Sequence, residues 1–121
     1  MPSRAIVSRA LADLFRQLAH ADRLRLIEEL RQGERDVTTL GQALALPTSR
    51  VSQHLALLRA HRLVEERRDG RNHVYRLAQP FLADWILEAL PLVDIRTRLE
   101  EAEHIDAARA LWSAPAPNSS H

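Results

Sequence analysis

Four residues in one stretch, Ser49, Arg50, Ser52 and Gln53, carry hydrogen-bonding chemistry suited to the edges of nucleic-acid bases. Glutamine can pair through two bonds with adenine and arginine with guanine, while serine or threonine reaches phosphates or either base class. On a helical wheel Val51, Leu55 and Leu58 fall together, with Ser49, Ser52, Gln53, Ala56 and Ala60 roughly opposite and Arg50 at one flank. The apolar side must face a core. The opposite side is poor material for a protein interface, and its alanines let a helix sit deep in a groove. Thr48 adds a hydroxyl at the start of the segment. His54 lies at the edge of the buried side, where it can pack, touch a phosphate, or do both.

A second group lies one element further on. Arg67, Arg68, Arg71, Asn72 and His73 surround Gly70, where the backbone can approach a surface closely. Cationic groups on a protruding ribbon can grip phosphates or enter a minor groove. The charge distribution agrees. Residues 48–76 hold seven arginines against Glu65, Glu66 and Asp69, a balance of +4, whereas residues 79–121 balance at −4. The net charge of +1 therefore hides a basic middle beside an acidic end. All 17 basic residues are arginine, the side chain that makes bidentate contacts with phosphate and guanine.

Other chemistries are excluded or thinly supported. With no cysteine, the chain has no disulfide, no thiolate-ligated zinc, no thiol nucleophile and no thiol sensor. It carries no P-loop, no Gly-x-Gly-x-x-Gly and no His-Glu-x-x-His, and a domain of this size leaves little room for a closed pocket. The reading is not an enzyme. His20 is placed to cap or pack at the start of a helix, and His61 ends one.

The elements that must position these groups follow from periodicity. A first amphipathic helix covers residues 3–19, and a second covers about 21–32 with Leu24, Ile27 and Leu30 inward and Gly33 after it. Asp36 or Thr38 caps a short third helix holding Leu40, Ala43 and Leu44. Pro47 makes a break, and Thr48 or Ser49 caps a fourth helix running to about His61. Two short strands then flank Asp69-Gly70 as a hairpin. Residues 79–112 are helical again, with Pro91 kinking or dividing them.

The fold class is therefore mainly α with a short β-hairpin: four helices, two strands and a long helical end. One domain is expected over residues 1–112, with 113–121 as a disordered tail. No apolar run is long enough to span a bilayer, and the N-terminus lacks the apolar stretch of a secretory signal. The expectation is no membrane partner and a cytoplasmic location. The first and last helices offer more apolar surface than so small a unit can cover, through Ile6, Leu11, Phe15, Trp85, Ile86, Leu90, Val93 and Leu99. A two-fold partner chain is the simplest cover, and folding of the last helix onto the first is compatible with it.

Residues 14–27 (LFRQLAHADRLRLI) resemble the first two helices of the ArsR/SmtB family of winged helix-turn-helix repressors. Residues 49–58 (SRVSQHLALL), Leu63-Val64-Glu65 and Gly70-Arg71 resemble that family's recognition helix and wing. The resemblance covers about residues 8–80. It implies a sequence-specific transcriptional repressor, homodimeric through its first and last helices, on an inverted repeat in double-stranded DNA. On that basis Ser49, Arg50, Ser52, Gln53 and His54 become DNA contacts, with Arg71 in the wing. Family members that sense soft metals use cysteines where this chain reads Gly33 to Leu40 without a thiol. Others bind zinc through Asp-x-His and His-x-x-Glu or His-x-x-His; here Arg96 and Ala107 replace two of those ligands. Only Asp94 and His104 remain, a thin site, so no cofactor is expected and a metal is a minor prospect. The rival reading is a winged helix that binds only protein.

Overall fold

The computed structural model describes residues 3–93 and 98–114, and for 98–105 the backbone alone. The chain divides into two compact units after Gln79.

In the first unit, α1 (Arg4–Leu18) starts where the Ser3 hydroxyl accepts the Ile6 amide. α2 (Ala21–Leu30) has an unusual cap: His20 Nδ1 accepts the Asp22 amide at 3.1 Å, and Asp22 adds a carboxylate to the first turn. Leu26, Ile27 and Leu30 of α2 are buried. Between α2 and α3 lies a strand that the sequence pattern does not reveal, β1 (Arg35–Asp36), too short to show a period. Asp36 also caps α3 (Val37–Leu44), accepting the Thr39 amide at 2.7 Å, so Asp36 rather than Thr38 is the cap.

α3 closes with Ala45 in the left-handed region at φ 55°, its amide bonded to Gln42 and the Leu46 amide to the Gly41 carbonyl. A Cβ on Gly41 would lie 3.1 Å from the Leu46 carbonyl oxygen, so glycine lets the turn sit against α3. α4 (Thr48–Ala60) follows directly. Neither Thr48 nor Ser49 caps it, contrary to expectation; Pro47 precedes the helix and its carbonyl accepts the Arg50 and Val51 amides. The hydroxyls of Thr48 and Ser49 therefore lie within the first turn, not bent back over it. α4 ends in the same way as α3, with Arg62 at φ 59° and the Leu63 amide bonded to Leu58.

The hairpin comprises β2 (Val64–Asp69) and β3 (Asn72–Leu77), joined by Gly70 and Arg71 with Gly70 at φ 65°. A glycine with positive φ at the first loop position suits a two-residue hairpin. β3 is central in the order β1-β3-β2, with all pairs antiparallel. The register sets Glu66 opposite Tyr75 and Glu65 opposite Arg76. The core of this unit joins Leu26, Ile27 and Leu40 to Val51, Leu55 and Leu58, all at 0% exposure. Each such side chain contributes about 1.5–3 kcal/mol on burial.

In the second unit Pro91 divides the helical end, as expected, although into more pieces than one long helix. α5 (Leu82–Leu87) is followed by a single 3-10 turn, Leu90–Leu92, and α6 (Arg98–Ser113) packs on that turn. Proline takes the second position of the turn because it needs no amide donor there. The expected tail falls mostly outside the described residues.

Candidate nucleic-acid interface

α4 is held by one face and open on the other. Val51, Leu55 and Leu58 are fully buried, and Thr48, Ser49, Arg50, Ser52, Gln53 and Ala56 are exposed. The wheel derived from the sequence is thus the wheel of the structure. Pinning by three core residues gives the exposed stripe a fixed orientation without spending any of its own polar groups. Arg50 has no ion-pair partner among the described residues. Such a side chain is available to an outside acceptor at little cost.

His54 is the exception, and of the roles expected for it the structure shows packing. Only 8% exposed, it points inward to a polar knot rather than outward with Gln53. Arg23 Nε donates to His54 Nδ1 at 3.3 Å, and Arg23 Nη1 donates to the Gln17 carbonyl at 3.1 Å. His54 Nε2 lies 3.6 Å from the Asp22 carboxylate, and the His20 and His54 rings are 4.5 Å apart. Burial pushes the His54 pKa down, helped by His20 and Arg23 and opposed by Asp22. The neutral ring therefore fastens α4 to the α1–α2 junction. Periodicity placed His54 at the edge of the buried face; what tips it inward is the pair of partners in α2, which no local pattern shows.

The wing arginines divide into two kinds. Arg67 donates to Glu34 through Nε at 2.8 Å and Nη2 at 2.6 Å, and Arg76 pairs with Glu65 at 2.7 Å. Glu34 is held below the usual carboxylate range by its bond from Arg67. Arg68, Arg71 and Asn72 are exposed, and among the described residues the two arginines have no carboxylate partner. Positive charge at the tip is thus free, and charge at the base is neutralised locally. His73, also an expected contact, is half-buried and spends Nδ1 on Glu66 at 3.0 Å.

Glu66 is the organising residue that sequence reasoning missed. Its carboxylate accepts from the Tyr75 hydroxyl at 2.8 Å, from His73, and from Arg59 of α4 at 3.1 Å. Bonds from His73 and Tyr75 hold its pKa below the usual value. Burial and the bond to Glu66 push Tyr75 up to about 12, so its hydroxyl remains a donor. One carboxylate thereby ties the end of α4 to both wing strands. The signal was present in part: counting outward from the Gly70-Arg71 loop sets Glu66 opposite Tyr75, but nothing local brings Arg59 to them.

Of the residues expected to pair two chains, Ile6, Leu11 and Phe15 are exposed on α1, Ile6 at 60%. Trp85 and Val93 are exposed in the second unit, and Ile86 and Leu90 are partly so. The Leu99 side chain lies outside the described residues. So do Asp94 and the His104 side chain, the residual metal donors. No helix among the described residues is long and apolar enough to cross a membrane.

Comparison with known proteins agrees with this fold. A profile for "Bacterial regulatory protein, arsR family" matches residues 20–66. The chain is 40% identical over 89 residues to the HTH-type transcriptional repressor SmtB of Mycobacterium tuberculosis, across 74% of this chain and 65% of that protein. The match thus falls just short of two thirds of that relative's length. It is 36% identical over 92 residues to the HTH-type transcriptional regulator NmtR of the same organism, across 74% of this chain and 77% of that one. The solution structure of a homodimeric winged helix-turn-helix DNA-binding domain from Mycobacterium bovis superposes with a TM-score of 0.66 at 29% identity. That likeness covers 79% of this chain and 90% of the other.

Proposed function

The chain belongs to the bacterial ArsR family of regulatory proteins, and from that premise we propose that it is a sequence-specific DNA-binding repressor acting as a homodimer. The observation that carries this reading is the exposed stripe Ser49, Arg50, Ser52 and Gln53 on a helix whose opposite face is fully buried. Read into a major groove, Gln53 and Arg50 supply the two bidentate base contacts, and Ser49, Ser52 and Thr48 supply hydroxyls for phosphate or base edges. Arg68 and Arg71 reach the flanking backbone from the wing, with Asn72 beside them. Arg67 contributes by exchanging Glu34 for phosphate, which surface pairing of modest strength permits, and His73 through Nε2, the ring nitrogen not bonded to Glu66.

A second copy covers the apolar side chains of α1 and of residues 81–93. Two recognition helices related by that axis read half-sites about one helical turn apart, and occupancy blocks transcription sterically. The domain of Mycobacterium bovis is homodimeric, which supports the pairing. Without a cysteine, any inducer acts through other chemistry.

The test is selection of bound sequences from random duplexes, followed by variants. Arg50→Ala and Gln53→Ala should each lose about 1–3 kcal/mol on the selected site and relax preference at one base pair. Arg71→Ala should weaken selected and random DNA alike. Equal losses on both DNAs for the α4 variants would defeat direct readout.

A further inference from the structure

The knot that holds α4 contains a set of donors that the DNA-binding reading does not use. His20, Asp22 and His54 each offer one ligand atom, and these atoms all lie within 4.8 Å of one another. They come from the α1–α2 junction, the first turn of α2 and the middle of α4. His54 is buried and Asp22 partly so, while His20 is exposed. The set is thus anchored on one side and open to solvent on the other. Two imidazoles and one carboxylate suit zinc, nickel or cobalt, and would leave positions for water. A metal about 2.0–2.2 Å from each donor needs donor separations of about 3.3 Å. The His54 Nε2 to Asp22 distance is already 3.6 Å. Rotation of the exposed His20 side chain can close the remainder.

We propose that His20, Asp22 and His54 bind a divalent late first-row transition ion. Both Nδ1 atoms accept hydrogen bonds, His20 from the Asp22 amide and His54 from Arg23. In the metal-free chain each neutral ring therefore keeps its proton on Nε2. Binding through Nε2 moves that proton to Nδ1 in both rings, with no net change in protonation. His20 then gives up the α2 cap, and His54 releases Arg23 from its bond. The metal site and the present polar knot are alternatives built from the same atoms. Since His54 belongs to α4, occupancy changes how that helix is fastened. This last consequence rests on reading α4 as the DNA-contacting helix; the site itself does not.

The experiment is titration of the purified full chain with Co²⁺, followed through visible d–d absorption and then displacement by Zn²⁺, without DNA. His20→Asn keeps a good capping residue while removing a ligand, and Asp22→Ala keeps helix propensity while removing the carboxylate. Circular dichroism of the metal-free variants confirms that they fold. The expected result is one ligand-field-active cobalt per chain, with more than about tenfold weaker binding in each variant. Absence of such absorption in the parent chain, or an affinity within about tenfold of the parent in either variant, overturns the site. Because no DNA is present, that failure is distinct from a failure to bind duplexes.

Discussion

Replacing Glu66 with alanine removes one acceptor from three donors at once. The Tyr75 hydroxyl, on a residue only 8% exposed, loses its 2.8 Å bond to a carboxylate. A hydrogen bond to a charged group contributes about 1.5–3 kcal/mol, and a buried hydroxyl left unpaired costs a similar amount. The Arg59 pair adds little, since the arginine side chain is 60% exposed and exposed pairs contribute about 0–1 kcal/mol. Glu66→Ala should therefore destabilise the chain by about 2–3 kcal/mol. For a chain of this length that corresponds to a fall in Tm of about 8–12 °C. The assay is thermal denaturation at one fixed protein concentration, because the proposed pairing of chains would make Tm depend on concentration. Glu66→Gln retains an acceptor and should lose about half as much. Tyr75→Phe removes the donor, so the double variant should lose less than the two single losses together. If Glu66→Ala melts within about 2 °C of the parent, the carboxylate does not organise the wing and the reasoning is refuted.

The same network sets an acid response. The folded pKa of Glu66 lies below its ordinary value of 4.5, as does that of Glu34 beside Arg67. Their extra stability is complete above 4.5 and is lost as pH falls through the lower folded values. Denaturant titrations from pH 6 downward should show the parent losing stability more steeply than Glu66→Gln, and parallel curves would contradict the assignment. At the end of α4, Arg62 occupies φ 59°, a conformation that glycine adopts without strain. Arg62→Gly should raise stability by about 0.5–1 kcal/mol in urea unfolding, and a loss would show that the arginine side chain matters more than its backbone.

The helices were legible because their signals are local. Apolar spacing located all four helices of the first unit, and Asp69-Gly70 located the hairpin. The burial of Val51, Leu55 and Leu58 followed from the same wheel that exposes Ser52 and Gln53. What the sequence hid was non-local. β1 has two residues and exists only because β3 lies beside it. Arg59 meets Glu66 across seven residues, and Glu34 meets Arg67 across 33, so neither pair has a periodic signature. His54 sits on the boundary between the two faces of α4, where periodicity gives no decision. Its inward choice is made by Asp22 and Arg23, more than thirty residues away in the chain. The cap of α4 failed for a local reason: the helix begins one residue earlier than expected, so Pro47, which has no side-chain acceptor, takes the capping position and the hydroxyls of Thr48 and Ser49 stay within the first turn.

Titration of the purified chain with a selected duplex across a range of salt concentrations tests the central claim most directly. A protein that grips phosphates through arginines while α4 lies in the groove should show log affinity falling linearly with log salt, by about 0.9 per neutralised phosphate. Arg71→Ala should flatten that slope by about 1. Binding that is absent for every duplex at low ionic strength, or that ignores salt altogether, would contradict it.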